Sequence, residues 1–205
     1  MRPWTVIAAC AFAAASSAGA ARIESTRRIP TGLELRTADG VLTVEPWSDT
    51  IIHVRFGPPS YFGNYNPSVV ASPEKVRFDV RDTSDAFLLS TPRLRLSIDK
   101  ATSSISFRDS NGAKLLEEAQ RTIGHGTVEA FQTNSIIYGL GQHQDGLLDY
   151  GGNSVHLQQK NGDVGVPFLL SPAGFGILWN IGLLPGIQQI SRGEVSSTTI
   201  PTGEP

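Results

Sequence analysis

Hydrophobic and polar residues alternate with a period of two along most of this chain, which is the pattern of half-buried β-strands. The segments 33–37 and 41–44 alternate in this way on either side of Asp39-Gly40, and together they predict a hairpin. In the segment 93–99, leucine or isoleucine occupies every second position and the charged residues lie on the opposite face. These segments therefore predict strands with one face in a core.

Glycine and proline divide the chain into short segments, roughly ten residues apart, as in an all-β protein. The segments 166–170 and 175–179 flank Ser171-Pro172-Ala173-Gly174, whose proline and glycine suit a tight β-turn. Only Ala113–Arg121 could form a helix, and the same segment can be a strand. We predict an all-β fold, an antiparallel β-sandwich.

The first 20 residues have the pattern of a secretory signal peptide. Arg2 precedes a short alanine-rich apolar run, and Ala18-Gly19-Ala20 is a small-residue cleavage site. The apolar run is too short to span a bilayer stably. We expect cleavage after Ala20 and export to the periplasm or the extracellular space.

Composition narrows the possible functions of the mature chain. The 205 residues carry a formal charge of −2 with scattered lysines and arginines, so we expect neither a nucleic-acid surface nor a membrane partner. Cys10 is the only cysteine and lies in the predicted signal peptide, which leaves no disulfide and no thiol chemistry. We expect one β-sandwich domain over residues 21–180 and a divergent, irregular tail over residues 181–205.

The densest group of glycine and polar residues is YGLGQHQDG, Tyr138 to Gly146. Gly139-Leu140-Gly141 begins like a dinucleotide-binding fingerprint, but Gln144 stands where that motif needs glycine. The segment also lacks the Lys-Ser/Thr pair of a P-loop, and no helix is predicted after it to bind phosphate. A nucleotide site is therefore not expected.

Two further kinds of chemistry have weak signals. His143 and His156 could belong to a cupin-like metal site, but Gln144 stands where a second ligand would be wanted, and hydrogen-bonded histidines without metal are the alternative. No Gly-x-Ser-x-Gly motif for a serine nucleophile occurs in the chain. We predict no cofactor, no metal ligand and no catalytic residue.

The segment from Tyr138 to Asn180 resembles the N-terminal β-sandwich domain of glycoside hydrolase family 31, the α-glucosidase and α-xylosidase family. Tyr138–Gln142 matches the family's opening Y-G-L-G-E/Q motif. Asn161, Pro167–Ser171 and Gly174–Leu178 match its N…P-F-x-x-S-x-x-G-Y-G-I-L block, and 143–148 and 157–159 look most like the bacterial α-xylosidase branch. Looser similarity extends upstream to Leu33.

This resemblance implies a galactose-mutarotase-like domain beside a catalytic barrel, with a loop at residues 161–163 that reaches the mouth of a sugar pocket. Asp163 and Asn161 would then bind an oligosaccharide or α-glycoside, while a solvated turn is the alternative for Asp163. Tyr150 and Trp179 could stack on a sugar face or pack in the core or at an edge. The implied protein partner is a family 31 catalytic barrel domain.

The resemblance ends after Asn180, and the catalytic part of the family has no counterpart in the sequence. Retaining glycoside hydrolysis needs two carboxylates about 5–5.5 Å apart, which the family takes from a TIM barrel of ~250 residues. We expect an accessory domain of an α-xylosidase-like α-glycosidase that is inactive alone. Without its barrel it should expose an apolar face and be poorly soluble or self-associate. The alternatives are a free-standing carbohydrate-binding β-sandwich and a cupin-like metal protein.

Overall fold

The computed structural model describes residues 21–57, 69, 72–123, 127–133, 135–151, 153–157, 161–179, 186–191 and 193–199. Within these residues sixteen strands form three antiparallel sheets, and no helix is present to cross a membrane. The all-β prediction is confirmed. The predicted signal peptide, residues 1–20, lies outside the described residues.

The strands are numbered in chain order and assemble as follows. Sheet A contains β1 (Ile23–Ile29), β2 (Gly32–Thr37), β3 (Gly40–Pro46) and β4 (Ile52–Gly57), in that order. Sheet B contains, in spatial order, β12 (Asn153–Leu157), β15 (Gly186–Ser191), β16 (Gly193–Thr199), β10 (Thr127–Thr133), β9 (Lys114–Ile123), β8 (Ile105–Asp109), β7 (Leu94–Asp99), β6 (Ala86–Ser90) and β5 (Asp79–Asp82). Sheet C contains β11 (Tyr138–Gln142), β13 (Val164–Ser171) and β14 (Phe175–Leu178), in that order.

Sheet A packs on one half of sheet B through the alternating apolar residues that the sequence marks. The predicted hairpin is confirmed by β2 and β3, in which Leu35 lies opposite Leu42. The buried residues of this core are Leu33, Leu35, Leu42, Val44, Phe87, Leu89, Leu96, Ile98 and Ile105. Because each such side chain contributes roughly 1.5–3 kcal/mol on burial, the contact between the two sheets is the main stabilising feature of this half.

Sheet C covers the other half of sheet B and encloses a second core. Its buried residues are Leu116, Ile137, Leu140, Tyr150, Val155, Leu157, Leu169 and Trp179. Phe107 packs against both cores, so the two lie side by side on one continuous sheet. The domain is therefore a sandwich in which one long sheet has two shorter cover sheets.

The structure differs from the sequence prediction near the C-terminus. β15 and β16 pair with each other and lie between β12 and β10 in sheet B, where an irregular tail was expected over residues 181–205. The prediction of irregular structure is therefore wrong for residues 186–191 and 193–199. These residues show little apolar periodicity, and their strands are ordered by pairing with β12 and β10, which lie far away in the sequence. The segment 113–121, which could have been a helix, lies mainly in β9.

Candidate functional site

The backbone of β11 follows a path that requires glycine at two positions. Gly139, Leu140 and Gly141 have φ angles of 102°, 63° and 105°. A Cβ on Gly141 would lie 1.8 Å from the carbonyl oxygen of Val164, and one on Gly139 would lie 2.6 Å from that of Phe168. The two glycines therefore allow β11 to approach β13 closely, which is the physical basis of the Y-G-L-G motif.

Leu140 adopts a left-handed conformation between these glycines, at a cost of about 1–2 kcal/mol. Its side chain is fully buried in the core under sheet C, and this burial, at about 1.5–3 kcal/mol, offsets the strain. Gly139 pairs with Leu169 but Gly141 pairs with Gly165, so β13 bulges between these pairs. The bulge bends sheet C at the end where its loops begin.

Two loops meet at this end of sheet C: residues 143–149, which follow β11, and residues 161–163, which lead into β13. They are termed the loop pair. The backbone N–H of Gln144 donates a long hydrogen bond of 3.3 Å to Oδ1 of Asp163. The Nε2 atom of Gln144 lies 2.5 Å from where a Cβ on Gly162 would stand, so this glycine leaves room for the Gln144 side chain.

Asn161 and Asp163 both lie in the second loop, on either side of Gly162. Asn161 is exposed in a turn with Gly162, whose φ is 91°, and Asp163 is half-buried at the start of β13. A carboxylate and a carboxamide offer the hydrogen-bond acceptors and donors that sugar hydroxyls require. The sugar-binding role of these two residues stays a prediction.

Tyr150 lies in the core and not on the exposed surface of the loop pair. Its side chain is 5% exposed, and the His143 ring lies edge-on to it with centroids 6.1 Å apart. Burial and, to a smaller extent, the Asp145 carboxylate raise the pKa of Tyr150, so its hydroxyl stays protonated at neutral pH. Of the two sequence-based alternatives for Tyr150, a sugar contact or packing, the structure shows packing in the core.

Trp179 also packs in the core under sheet C. It is 6% exposed, and its backbone N–H donates to the carbonyl oxygen of Pro167 at 2.9 Å. The residue therefore attaches the end of β14 to β13, and of its two sequence-based alternatives the structure shows packing.

His143 is engaged by the main chain. Its Nε2–H donates to the carbonyl oxygen of Leu140 at 2.9 Å, which closes the turn after β11. The side chain of His156 lies outside the described part of the structure. Among the described residues, no group of three or more His, Cys, Asp or Glu side chains could hold a metal ion.

Sequence reasoning missed Asp149, which holds the end of the first loop. Its Oδ1 accepts hydrogen bonds from the backbone N–H of Ile137 at 3.1 Å and of Gly151 at 2.9 Å. The Tyr150 N–H donates to the Ile137 carbonyl at 3.0 Å. An aspartate two residues before a glycine is an Asx-turn signal, but the contact with Ile137 leaves no sequence pattern.

Comparisons with known proteins agree on one family. The sequence model described as the glycosyl hydrolase 31 N-terminal galactose mutarotase-like domain matches residues 41–181. An α-xylosidase from Saccharolobus solfataricus is 28% identical over 163 residues, covering 67% of this chain and 22% of that protein.

Solved structures show the same fold. The crystal structure of a GH31 α-xylosidase from Xanthomonas citri has a TM-score of 0.70 at 27% identity, covering 79% of this chain and 19% of that one. A GH31 α-xylosidase from a soil metagenome, complexed with xylose, has a TM-score of 0.75 at 19% identity, covering 86% and 32% of the two chains. This chain thus spans about a fifth to a third of the length of these relatives, and the galactose-mutarotase-like sandwich is confirmed.

Proposed function

This chain belongs to the glycosyl hydrolase 31 N-terminal galactose mutarotase-like domain family, and we propose that it is the accessory domain of an α-glycosidase of the α-xylosidase type. The family match over residues 41–181 carries the proposal. A relative of 28% identity and a solved structure of 27% identity are both α-xylosidases. The catalytic carboxylates would come from a separate barrel domain, since the described residues form only antiparallel sheets.

In this role the loop pair presents Asn161 and Asp163 to a sugar at the border of the catalytic pocket. The Asp163 carboxylate would accept hydrogen bonds from sugar hydroxyls while its contact with Gln144 N–H keeps the second loop in place. A hydrogen bond to a charged group contributes about 1.5–3 kcal/mol. Loss of the carboxylate should therefore weaken sugar binding by about tenfold or more.

The test is a domain-exchanged enzyme, in which this chain replaces the matching region of the Xanthomonas citri α-xylosidase. We expect it to hydrolyse p-nitrophenyl α-xyloside, whereas this chain alone does not. Asp163→Ala should raise KM about tenfold and change kcat less, because it removes a sugar contact and not a reacting group. Asp39→Ala, at an exposed turn of sheet A, is the matched control and should leave KM unchanged.

Four outcomes would contradict this assignment or part of it. Turnover by this chain alone, or no activity in the exchanged enzyme, contradicts the accessory role. An unchanged KM in Asp163→Ala contradicts the role of the loop pair. Calorimetric affinity of this chain alone for xylosylated oligosaccharides would favour a free-standing carbohydrate-binding sandwich instead.

We also propose that the protein is exported, on the pattern of its first 20 residues. N-terminal sequencing of the product recovered outside the cytoplasm should begin at Ala21. Recovery of the chain only in the cytoplasm, with residues 1–20 retained, would contradict this proposal.

A further inference from the structure

The outer face of sheet C is apolar. Alternate residues of β13 point away from the core and, together with one residue of β14, are between 37% and 48% exposed. These residues, termed the β13–β14 face, are Val164, Val166, Phe168, Leu170 and Leu178. Phe168 lies opposite Leu178, and side-chain atoms of Phe168 and Leu170 lie 3.1 Å from where a Cβ on Gly176 would stand. The side chains therefore form a continuous patch over both strands.

The sequence of β13 is that of a strand covered on both faces. VGVPFLLS places apolar residues on the outer face as well as on the inner face, where Leu169 is fully buried. By contrast β2, with the sequence GLELRT, alternates apolar and charged residues, as a strand with one solvated face does. A contiguous exposed apolar patch is often a site of interaction.

We propose that the β13–β14 face is the surface on which the catalytic domain packs. This inference rests on the proposed function. The matched region makes up only part of the relatives, which are much longer enzymes, so in those proteins a further domain lies on the same polypeptide. A domain joined covalently to this one is therefore the partner that the length of the relatives favours.

The size of the face favours a tethered domain over a second copy of this chain. Five partly exposed apolar side chains present on the order of 400 Å², about half of the ~800 Å² that each partner contributes to a stable interface. A domain on the same polypeptide meets the face at an effective concentration in the millimolar range, so a smaller patch suffices.

Packing by this face also determines where the loop pair lies. Asp163 immediately precedes Val164, the first residue of the face, so a domain seated on the face has the 161–163 turn at its border. The loop carboxylates then belong to a polar rim around an apolar centre, which is the usual organisation of an interface.

Cysteine modification tests the contact directly. The only native cysteine is Cys10, and Leu170→Cys and Leu88→Cys introduce single probes that mass spectrometry can follow on their own peptides. Leu88, on β6 of sheet B, is 37% exposed and provides the matched control. We expect the Leu170→Cys probe to react with a maleimide at least tenfold more slowly in the exchanged enzyme than in this chain alone, diluted until light scattering shows a monomer, with no such difference for Leu88→Cys.

A second pair of variants measures the consequence of the contact. The double change Val166→Thr and Leu170→Thr keeps strand-forming residues of suitable shape but removes much of the apolar surface. In the exchanged enzyme it should lower Tm and separate the unfolding of the two domains, and in this chain alone it should reduce self-association in light scattering. Leu88→Thr should do neither.

The outcomes separate this inference from the proposed function. Equal changes in reactivity at both probes in an active exchanged enzyme overturn the inference and leave the accessory role intact. A protected Leu170→Cys probe, in an enzyme whose KM does not respond to Asp163→Ala, supports the inference and contradicts the role of the loop pair. A discrete dimer of this chain alone that protects the same probe assigns the face to a second copy and overturns the inference.

Discussion

Sheets A and C both cover sheet B, but their outer surfaces differ in polarity. Each covers half of sheet B with buried aliphatic residues on its inner face. The outer face of sheet A carries ion pairs, among them Arg27–Glu34 at 2.7 Å and Arg55–Glu45 at 2.9 Å, whereas β13 and β14 present only apolar residues and glycine. The inner faces of the two sheets are therefore alike, whereas the outer face of sheet A is charged and the outer face of sheet C is apolar.

The largest effect is expected from Gly141→Ala, which tests whether sheet C depends on its close approach of strands. The new Cβ would lie 1.8 Å from the Val164 carbonyl oxygen at a φ of 105°. Overpacking and left-handed strain together should lower the free energy of unfolding by about 3–5 kcal/mol in urea titrations. The control is Gly146→Ala, because Gly146 has a φ of 70° but no atom within 4 Å of the added Cβ, so the free energy of unfolding should fall by only about 1 kcal/mol. Equal losses in the two variants would mean that the positive φ, and not the contact with β13, determines the cost.

Leu42→Ala and Leu169→Ala compare the two cores directly. Both side chains are fully buried, Leu42 under sheet A and Leu169 under sheet C. Each change should cost about 3 kcal/mol in urea unfolding, because it removes apolar contacts and leaves a cavity. We expect one cooperative transition in both variants, since Phe107 joins the cores. Two separate transitions in Leu169→Ala would mean that sheet C unfolds as an independent unit.

The fold was predictable where apolar residues alternate and not where long-range pairing supplies the order. Leu96 and Ile98 follow the period of two and are buried on one face of β7, as predicted. The strands at 186–191 and 193–199 lack such a pattern, and their order comes from β10 and β12. The sequence also predicted an apolar face, and the structure locates one on β13 and β14.

The candidate site was predictable only as far as the family motif reaches. The resemblance identified Asn161 and Asp163, but it contained no sign of the Gln144–Asp163 hydrogen bond, which depends on how two loops pack. Tyr150 shows a second limit of prediction from sequence. An aromatic residue beside a glycine-rich loop can face a sugar or a core, and the local sequence is the same in both cases. Burial decides between the two, and burial is a property of the assembled sheets.

Glu45, on the outer face of sheet A, should make the free energy of unfolding depend on pH. The β13–β14 face has no ionisable side chain and should make no such contribution. The His53 ring, and then Thr31 and Arg55, hold the pKa of Glu45 at about 2 instead of 4.5, against the burial that raises it. Because the folded state has the lower pKa, this stabilisation is present above pH 4.5 and is lost as pH falls through about 2. Partial hydration should limit it to about 1–2 kcal/mol.

The measurement compares urea unfolding near neutral pH with unfolding at progressively lower pH. Glu45→Gln should lose less stability on acidification than the wild-type chain, because glutamine has no carboxylate that takes up a proton at low pH. Glu34→Gln, on the neighbouring strand β2, is the control and should keep the acid loss attributed to Glu45. A wild-type acid loss that Glu45→Gln leaves unaltered would assign this sensitivity to other groups.

The smallest effect is expected from Arg27→Gln, which tests whether the charged surface of sheet A stabilises the fold or only faces water. Arg27 contacts Glu34 at 2.7 Å, but its side chain is 68% exposed. Since an exposed pair contributes about 0.2–1 kcal/mol and salt screens it, the change should cost less than about 0.5 kcal/mol and vanish in 1 M salt. Arg27→Lys, which keeps the charge, is the control in the same urea titrations. A salt-independent loss above about 1 kcal/mol would mean that the ion pairs on the outer face of sheet A stabilise the fold. Sheets A and C would then differ in whether their outer contacts are charged or apolar, and the outer face of sheet A could not be regarded as a surface that only faces water.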